Sequence, residues 1–321
     1  MDPLRDKSTA LASLRIAVSG SHGLVGRRLC IALTNAGHRV VPIVRVSAEE
    51  RVPTDCIALS MSKDCVRRIN PSAFEGIDAV IHLAGAGIAD KRWSAARKQE
   101  ILDSRVKGTR AIAEAIATAQ RLCAHPPRVF LCASGVGYYG ASTTPVDEQS
   151  GAGLGFLADV VQQWEEASAS ARDAGVRTVH LRFGVILSEA GGALGAMLRP
   201  FRWGLGGPLG NGRQGVPWVS MDDAIGAVQF CLANESIGGA VNVVAPELVS
   251  QRAFAAALGH ALKRPAVAWM PAFCVRILFG EMGQALLLEG AFVSSTVLRE
   301  NGFVFTHPTL TDAFARIRRH A

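Results

Sequence analysis

Three glycines at three-residue spacing, in Gly20-Ser21-His22-Gly23-Leu24-Val25-Gly26, mark the segment of this chain best suited to a phosphorylated ligand. Glycine there permits the dihedrals of a tight turn, lets the backbone approach a pyrophosphate, and allows close packing of strand and helix. The segment follows the β-branched run Arg15 to Ser19 and opens the helical spacing of Leu24 to Ala36, which stops at Gly37. A helix N-terminus with free N–H groups and a positive dipole would then face the phosphates. A glycine-rich turn without a ligand reads the same in isolation; the strand–loop–helix setting points to a dinucleotide.

The next strand, Arg39 to Val44, should close on an acid if it grips a ribose 2′-hydroxyl. It ends Ile43-Val44-Arg45, with Glu49 and Glu50 beyond it. A guanidinium pairs with a 2′-phosphate in a fork geometry and cannot accept from a hydroxyl. NADP is the expected cofactor; a solvated surface arginine is the other reading of Arg45.

Further along, His82-Leu83-Ala84-Gly85-Ala86-Gly87 ends a strand in small residues, as a tight strand exit or a bed for a cofactor requires. His82 reads as a hydrogen-bonded core residue. Tyr138 and Tyr139 stand in a glycine-rich loop after another strand, where carboxyl ends of strands face ligand. They are candidates for an acid, with Ser134 a donor to a substrate oxygen; a packing loop with one buried tyrosine is the competing reading. Asp222-Asp223 suits an N-cap better than chemistry.

The elements that must position these groups alternate. Asp78 to Leu83, Arg128 to Ala133 and Val176 to Leu181 read as further strands, separated by helical patterns over Ser94 to Leu122 and Gly155 to Ala174. Such alternation implies an α/β fold: a doubly wound parallel Rossmann sheet covered on both faces. After about Gly184 glycine and proline cluster, with helical patterns at Asp222 to Ala233, Gln251 to Leu262 and Thr311 to Arg319. A smaller C-terminal α+β lobe follows, rich in loops that would carry substrate contacts. The expected division is an extension over 1–14, a cofactor domain over 15–247 and a small domain over 248–317.

With 49% apolar and 19% charged residues in 321, a large core is affordable in sequence terms. No apolar run is long enough to span a membrane, so no membrane partner is expected, and Met1 to Leu14 lacks a secretory apolar region. The net charge of +7 comes from scattered basic residues or helix ends such as Arg316 to Arg319, so nucleic acid is not an expected partner. Seven cysteines without a C-x-x-C pair suit reduced thiols in the cytoplasm rather than a zinc site.

These residues resemble the extended short-chain dehydrogenase/reductase superfamily, and within it the uncharacterised epimerase family of NAD-dependent epimerase/dehydratase-like proteins. The likeness runs from about Arg15 to Ile317. It includes Leu83-Ala84-Gly85, Ser104-Arg105 with Gly108-Thr109, Ser134 to Gly140, Trp164-Glu165, Leu181 to Val185 and Gly204 to Gly207. The resemblance implies cofactor contacts at Gly20, Ser21, Gly23, Leu24, Val25, Val44, Arg45, Leu83 and Ala84. It adds Glu100, Arg105 and Ile186; on their own, Glu100 and Arg105 read as solvated helix charges.

One departure bears on function. Catalytic members of the superfamily use a Tyr-x-x-x-Lys pair at the start of the helix placed here at Gly155, the lysine lowering the tyrosine's pKa. This chain has Phe156-Leu157-Ala158-Asp159-Val160 there, and Gly135 where a substrate-orienting serine is expected. Members of the epimerase family share the loss. Two functions are therefore carried forward. One is an NADP(H)-dependent oxidoreductase or nucleoside-diphosphate-sugar epimerase acting on an unidentified small molecule. The other is a non-catalytic NADP-binding regulator or scaffold; the resemblance extends to plastid cell-division proteins and so implies a role in cell division. The flanking helices are compatible with a homodimer.

Overall fold

The computed structural model describes residues 13–46, 55–61 and 67–315. Glu49, Glu50, Cys65, nearly all of the N-terminal extension and the chain beyond 315 lie outside them. The first half is the expected alternation. Strand β1 (Arg15–Ser19) leads through the glycine loop into helix α1 (Leu24–Asn35), and β2 (Arg39–Val46) follows. Then come β3 (Ile57–Met61), the two-residue β4 (Arg67–Arg68) and β5 (Ala79–His82). Helix α2 (Ala95–Leu122), capped by the Ser94 hydroxyl accepting from Arg97 N–H, returns the chain to β6 (Val129–Gly135).

The helix expected over Gly155 to Ala174 is two: α3 (Phe156–Glu166) and α4 (Ala169–Asp173). The break falls at Ser168, whose hydroxyl donates to the Glu165 carbonyl at 2.7 Å and meets His180 Nε2 at 2.8 Å. A side chain that competes for backbone partners in this way ends a helix run. Strand β7 (Arg177–Phe183) extends two residues beyond the apolar run, to Arg182 and Phe183.

Beyond Gly184 the chain is more regular than its glycines suggest. Short β8 (Val185–Leu187) and β9 (Trp218–Ser220) pair in parallel, on either side of α5 (Gly192–Arg202). The helical period of α5 is obscured by Gly192, Gly195 and Pro200. Helix α6 (Met221–Ala233) is capped by Ser220, not by an aspartate. Asp223 sits in its first turn and accepts from the N–H groups of Thr306 and His307. Strand β10 (Gly239–Val243) returns to the sheet, and α7 (Gln251–Leu262), α8 (Ala272–Gly283), α9 (Thr296–Glu300) and α10 (Leu310–Phe314) are the last α-helices among the described residues.

The main sheet has the order β10-β7-β6-β5-β1-β2-β3-β4, parallel except for the edge strand β4. Its order reverses between β1 and β5, and the crevice outside the carboxyl ends of such a switch point receives ligands in open α/β sheets. One apolar layer packs Leu29, Leu33, Ala224 and Val228 of α1 and α6 against Ile16, Ile81, Leu131 and Val179. The opposite layer packs Ile112, Ile116 and Trp164 of α2 and α3 against Val80 and Phe130. Burial on both faces accounts for strands that read as continuous apolar runs. The second lobe has its own core of Leu194, Leu198, Phe201, Trp218, Phe254, Leu258 and Phe314, each worth about 1.5–3 kcal/mol when fully buried.

Candidate functional site

At the switch point the glycine loop and the exit of β5 meet backbone to backbone. A Cβ on Gly20, whose φ is +73°, would lie 2.9 Å from the Ala84 nitrogen and from the Leu83 carbonyl carbon. A Cβ on Gly26 would collide with the Gly20 carbonyl. Both positions therefore require glycine on steric grounds. Gly23 caps α1 without a side chain, its own N–H donating to Gly20 O at 2.9 Å, and no acid stands in the first turn. The first-turn N–H groups therefore point into the crevice with no carboxylate in competition, which is what a pyrophosphate needs. Ser21 and His22 edge the loop, with hydroxyl and Nδ1 3.3 Å apart.

The other candidate binding residues distribute around that loop. Arg45 is exposed at the carboxyl end of β2, the neighbour of β1, with Val44 half-buried beside it. Leu83 continues the β5 ladder, its N–H donating to Ser19 O at 3.2 Å. His82 is buried and bonded through Nδ1 to the Ser19 hydroxyl. Leu24 touches the second lobe: a Cβ on Gly192 would be 3.4 Å from its Cδ2. Val25 and Ile186 both pack against the α1/α6 layer.

Arg105 crosses from α2 to this loop, donating to Ala86 O at 3.0 Å and lying 5.0 Å from the Trp164 ring. Burial, with the Arg97 charge nearby, lowers its pKa to about 10. Arg97, which sequence reasoning overlooked, is buried, donates to Gly87 O and binds Glu100 Oε2 at 2.7 Å. Glu100 is thus tied to an arginine rather than free on the helix. Together the two arginines hold the Leu83–Gly87 exit from its outer side.

Ser134, Tyr138 and Tyr139 gather elsewhere. Strand register places Ser134, Arg182 and Asn242 in one row across β6, β7 and β10. The Ser134 hydroxyl donates to Glu165 Oε1 at 2.6 Å, and Arg182 holds both oxygens of that carboxylate. Arg182 also donates to the Tyr139 hydroxyl at 3.0 Å, which in turn donates to Asn242 Oδ1 at 2.8 Å. The Tyr138 ring lies against the same guanidinium, 3.5 Å from ring centroid to Cζ. Burial raises the Tyr139 pKa despite Arg182 beside it. Burial also works to raise that of Glu165, but the hydrogen bonds and charge of Arg182 outweigh it and leave the carboxyl below its ordinary value. Every hydroxyl proposed for chemistry, apart from Tyr138's, is engaged in this buried lattice.

At the start of α3, Val160 is 3% exposed and packed, while Phe156 is half-buried. The Phe156 ring meets Trp93 edge-on with centroids 5.0 Å apart, and Lys98 Nζ sits 4.8 Å from its centre. Lys98 also bridges to Glu281 of α8 at 2.8 Å. These side chains, with Ser94 and Leu102, line a cleft of about 510 Å³. Phe279-Gly280-Glu281 belongs to the family resemblance, but its pairing with Lys98 has no local signature in the sequence; α8 brings the two together.

Known proteins resemble the chain over nearly its whole length. Residues 16–244 match the model of the NAD dependent epimerase/dehydratase family, and residues 270–317 that of DUF1731, a domain of unknown function. An epimerase family protein of Mycobacterium bovis is 38% identical over 94% of this chain and 97% of its own length. The human epimerase family protein SDR39U1 is 34% identical over 95% of this chain and 99% of its own. A crystal structure of that human protein with NADPH superposes with a TM-score of 0.84 at 32% identity, covering 96% of this chain and all of the other.

Proposed function

Since the chain belongs to the NAD dependent epimerase/dehydratase family, we propose that it binds NADP(H) at the switch point of its sheet and does so without a tyrosine–lysine acid/base pair. The observation that carries this is the start of α1, free of any side-chain cap, where Gly20 lies against the exit of β5 and Gly26 against the Gly20 carbonyl so closely that only glycine fits at either position. Gly20, Ser21, Gly23, Leu24 and Val25 would enclose the pyrophosphate, and Arg45 beside Val44 would pair with the 2′-phosphate. Leu83 and Ala84 would bed the adenosine side, with Arg105 fixing their loop, Glu100 steadying Arg97, and Ile186 bordering the far end. Bound NADPH supplies a hydride; the chain's contribution is to hold and orient it.

The two positions of the missing pair hold Phe156, which has no proton to give, and Val160, which is packed apolar. The geometry therefore favours a protein whose output is the nucleotide-bound state, a regulator or scaffold, acting in the cytoplasm, where its described free thiols would stay reduced. One observation favours a second reading, an oxidoreductase or nucleoside-diphosphate-sugar epimerase. Lys98 and Glu281 put two ionisable groups at the mouth of the cleft beside Phe156. Titration of the purified protein with NADPH, followed by turnover on carbonyl and nucleotide-sugar panels, separates the two. Binding without hydride transfer supports the first and turnover the second; no affinity for NADPH overturns both.

A further inference from the structure

Two stretches of the chain, 190–221 and 248–280, contain no aspartate or glutamate, yet carry seven lysines and arginines. The same stretches hold eight of the twelve large apolar side chains that are exposed among the described residues. Folding brings much of this into one face. The extended segment 265–270 runs beside 204–210, with Ala268 N–H donating to Gly206 O at 3.1 Å and Met270 N–H to Pro208 O at 3.0 Å. Trp269 Nε1 adds a bond to Gly210 O at 2.6 Å.

Exposure alternates along that segment. Val267 (79%) and Trp269 (63%) face out, while Ala266, Ala268 and Met270 are half-buried. Helix α8 follows at once and sets Phe273 and Ile277 one turn apart on its outer side, with Val275 buried. Trp203 and Leu205, where α5 ends, extend the patch. Exposed Arg199, Arg202, Lys263, Arg264 and Arg276 come from the same segments. Exposed apolar side chains gathered by neighbouring segments in this way mark an interaction site.

We infer that this face docks on an anionic lipid surface, the tryptophans and Phe273 entering the boundary between headgroups and acyl chains and the basic side chains meeting lipid phosphates. Aromatic rings and long basic side chains are the groups that suit a membrane interface, since each joins an apolar body to a polar end. A second copy of the chain fits poorly, because two-fold contact would set five cations against five, and neither stretch holds an acid to answer them. The expectation of no membrane contact rested on the lack of a spanning segment, and a helix lying in the interface needs none.

The test uses the full chain with NADPH, sedimented with vesicles of phosphatidylcholine alone or mixed in equal parts with phosphatidylglycerol. Binding is expected to the mixed vesicles, weakened by salt and by about fivefold for each of Arg199→Gln and Arg276→Gln. A blue shift of tryptophan emission should accompany it and vanish in Trp203→Ser/Trp269→Ser, with NADPH titration unchanged as the check on folding. No binding to the mixed vesicles overturns the inference, as does equal binding to both kinds. Undiminished binding by Trp203→Ser/Trp269→Ser/Phe273→Ser overturns it too. A dimer seen by light scattering, dissolved by that triple substitution and blind to vesicles, would overturn it in favour of self-association.

Discussion

The Arg182 guanidinium clasps both carboxylate oxygens of Glu165, Nε to Oε1 at 2.7 Å and Nη2 to Oε2 at 2.8 Å. A strand otherwise buried on both faces thus carries a charge, fully matched by a fork-to-fork partner from α3. Around the pair, Ser134, Tyr139 and Asn242 complete a hydrogen-bonded row that ties β6, β7 and β10 together, and Asn242 Nδ2 reaches on to Ser294 O at 2.8 Å. Tyr139, offered by the sequence as an acid, and Ser134, offered as a donor to a substrate oxygen, are thus both members of this structural network.

Removing one partner of a buried pair strands the other's charge, at a cost of about 3–5 kcal/mol. Glu165→Gln is therefore expected to lower the denaturant midpoint sharply at neutral pH. The pH dependence has a definite sign. Glu165 has a folded pKa below its unfolded one, so its contribution is present above the unfolded carboxylate range and is lost as pH falls through the folded pKa. The stability gap between the native chain and Glu165→Gln should close on acidification. A gap that stays constant with pH would remove the carboxylate from the account.

Tyr139 gives the complementary case. Tyr139→Phe deletes a hydroxyl that accepts from Arg182 and donates to Asn242, leaving both short of a partner inside the fold. About 1–3 kcal/mol of stability should go with it. Any hydride transfer the protein performs should survive, because that hydroxyl is buried in the lattice. Loss of turnover with unaltered stability would return Tyr139 to the catalytic reading.

The contrast between these groups and the glycine loop shows what a sequence can carry. Gly20, Gly23 and Gly26 announce themselves because their chemistry lies in the backbone and in fixed local spacing. Strands β1 and β5 were legible for a related reason, since burial on both faces leaves an unbroken apolar run. The Ser134–Arg182–Asn242 row depends on register between strands far apart in the chain, which no local pattern encodes. Arg182, directly after the strand expected to end at Leu181, was the available signal, because a charge carried into a buried strand demands a partner. Arg97 gave no such signal: the burial of one helix arginine among several depends on where the Leu83–Gly87 loop comes to lie. Helices α5 and α8 escaped for their glycine and proline content, and β10 for its glycine start.

At the loop itself, Gly26→Ala places a methyl where the Gly20 carbonyl already stands. Backbone at both ends of the turn must give way, moving the α1 N–H groups away from the pyrophosphate. NADPH affinity should fall by at least about tenfold, the equivalent of one charge-assisted hydrogen bond, while far-ultraviolet circular dichroism stays native. Unchanged affinity would mean that the phosphates lie elsewhere.

Arg45 separates cofactor choice from cofactor binding. It stands exposed at the end of β2, the strand beside β1, where the adenosine ribose of a dinucleotide on the loop would lie. A 2′-phosphate there gains a charge-assisted fork, whereas a bare 2′-hydroxyl gains nothing from a group that cannot accept. Arg45→Asp reverses the charge and supplies an acceptor. It should weaken NADPH by about tenfold or more while leaving NADH unchanged or tighter, as read by parallel fluorescence titrations. Equal losses for the two nucleotides would take the 2′-phosphate away from Arg45 and leave it a surface charge.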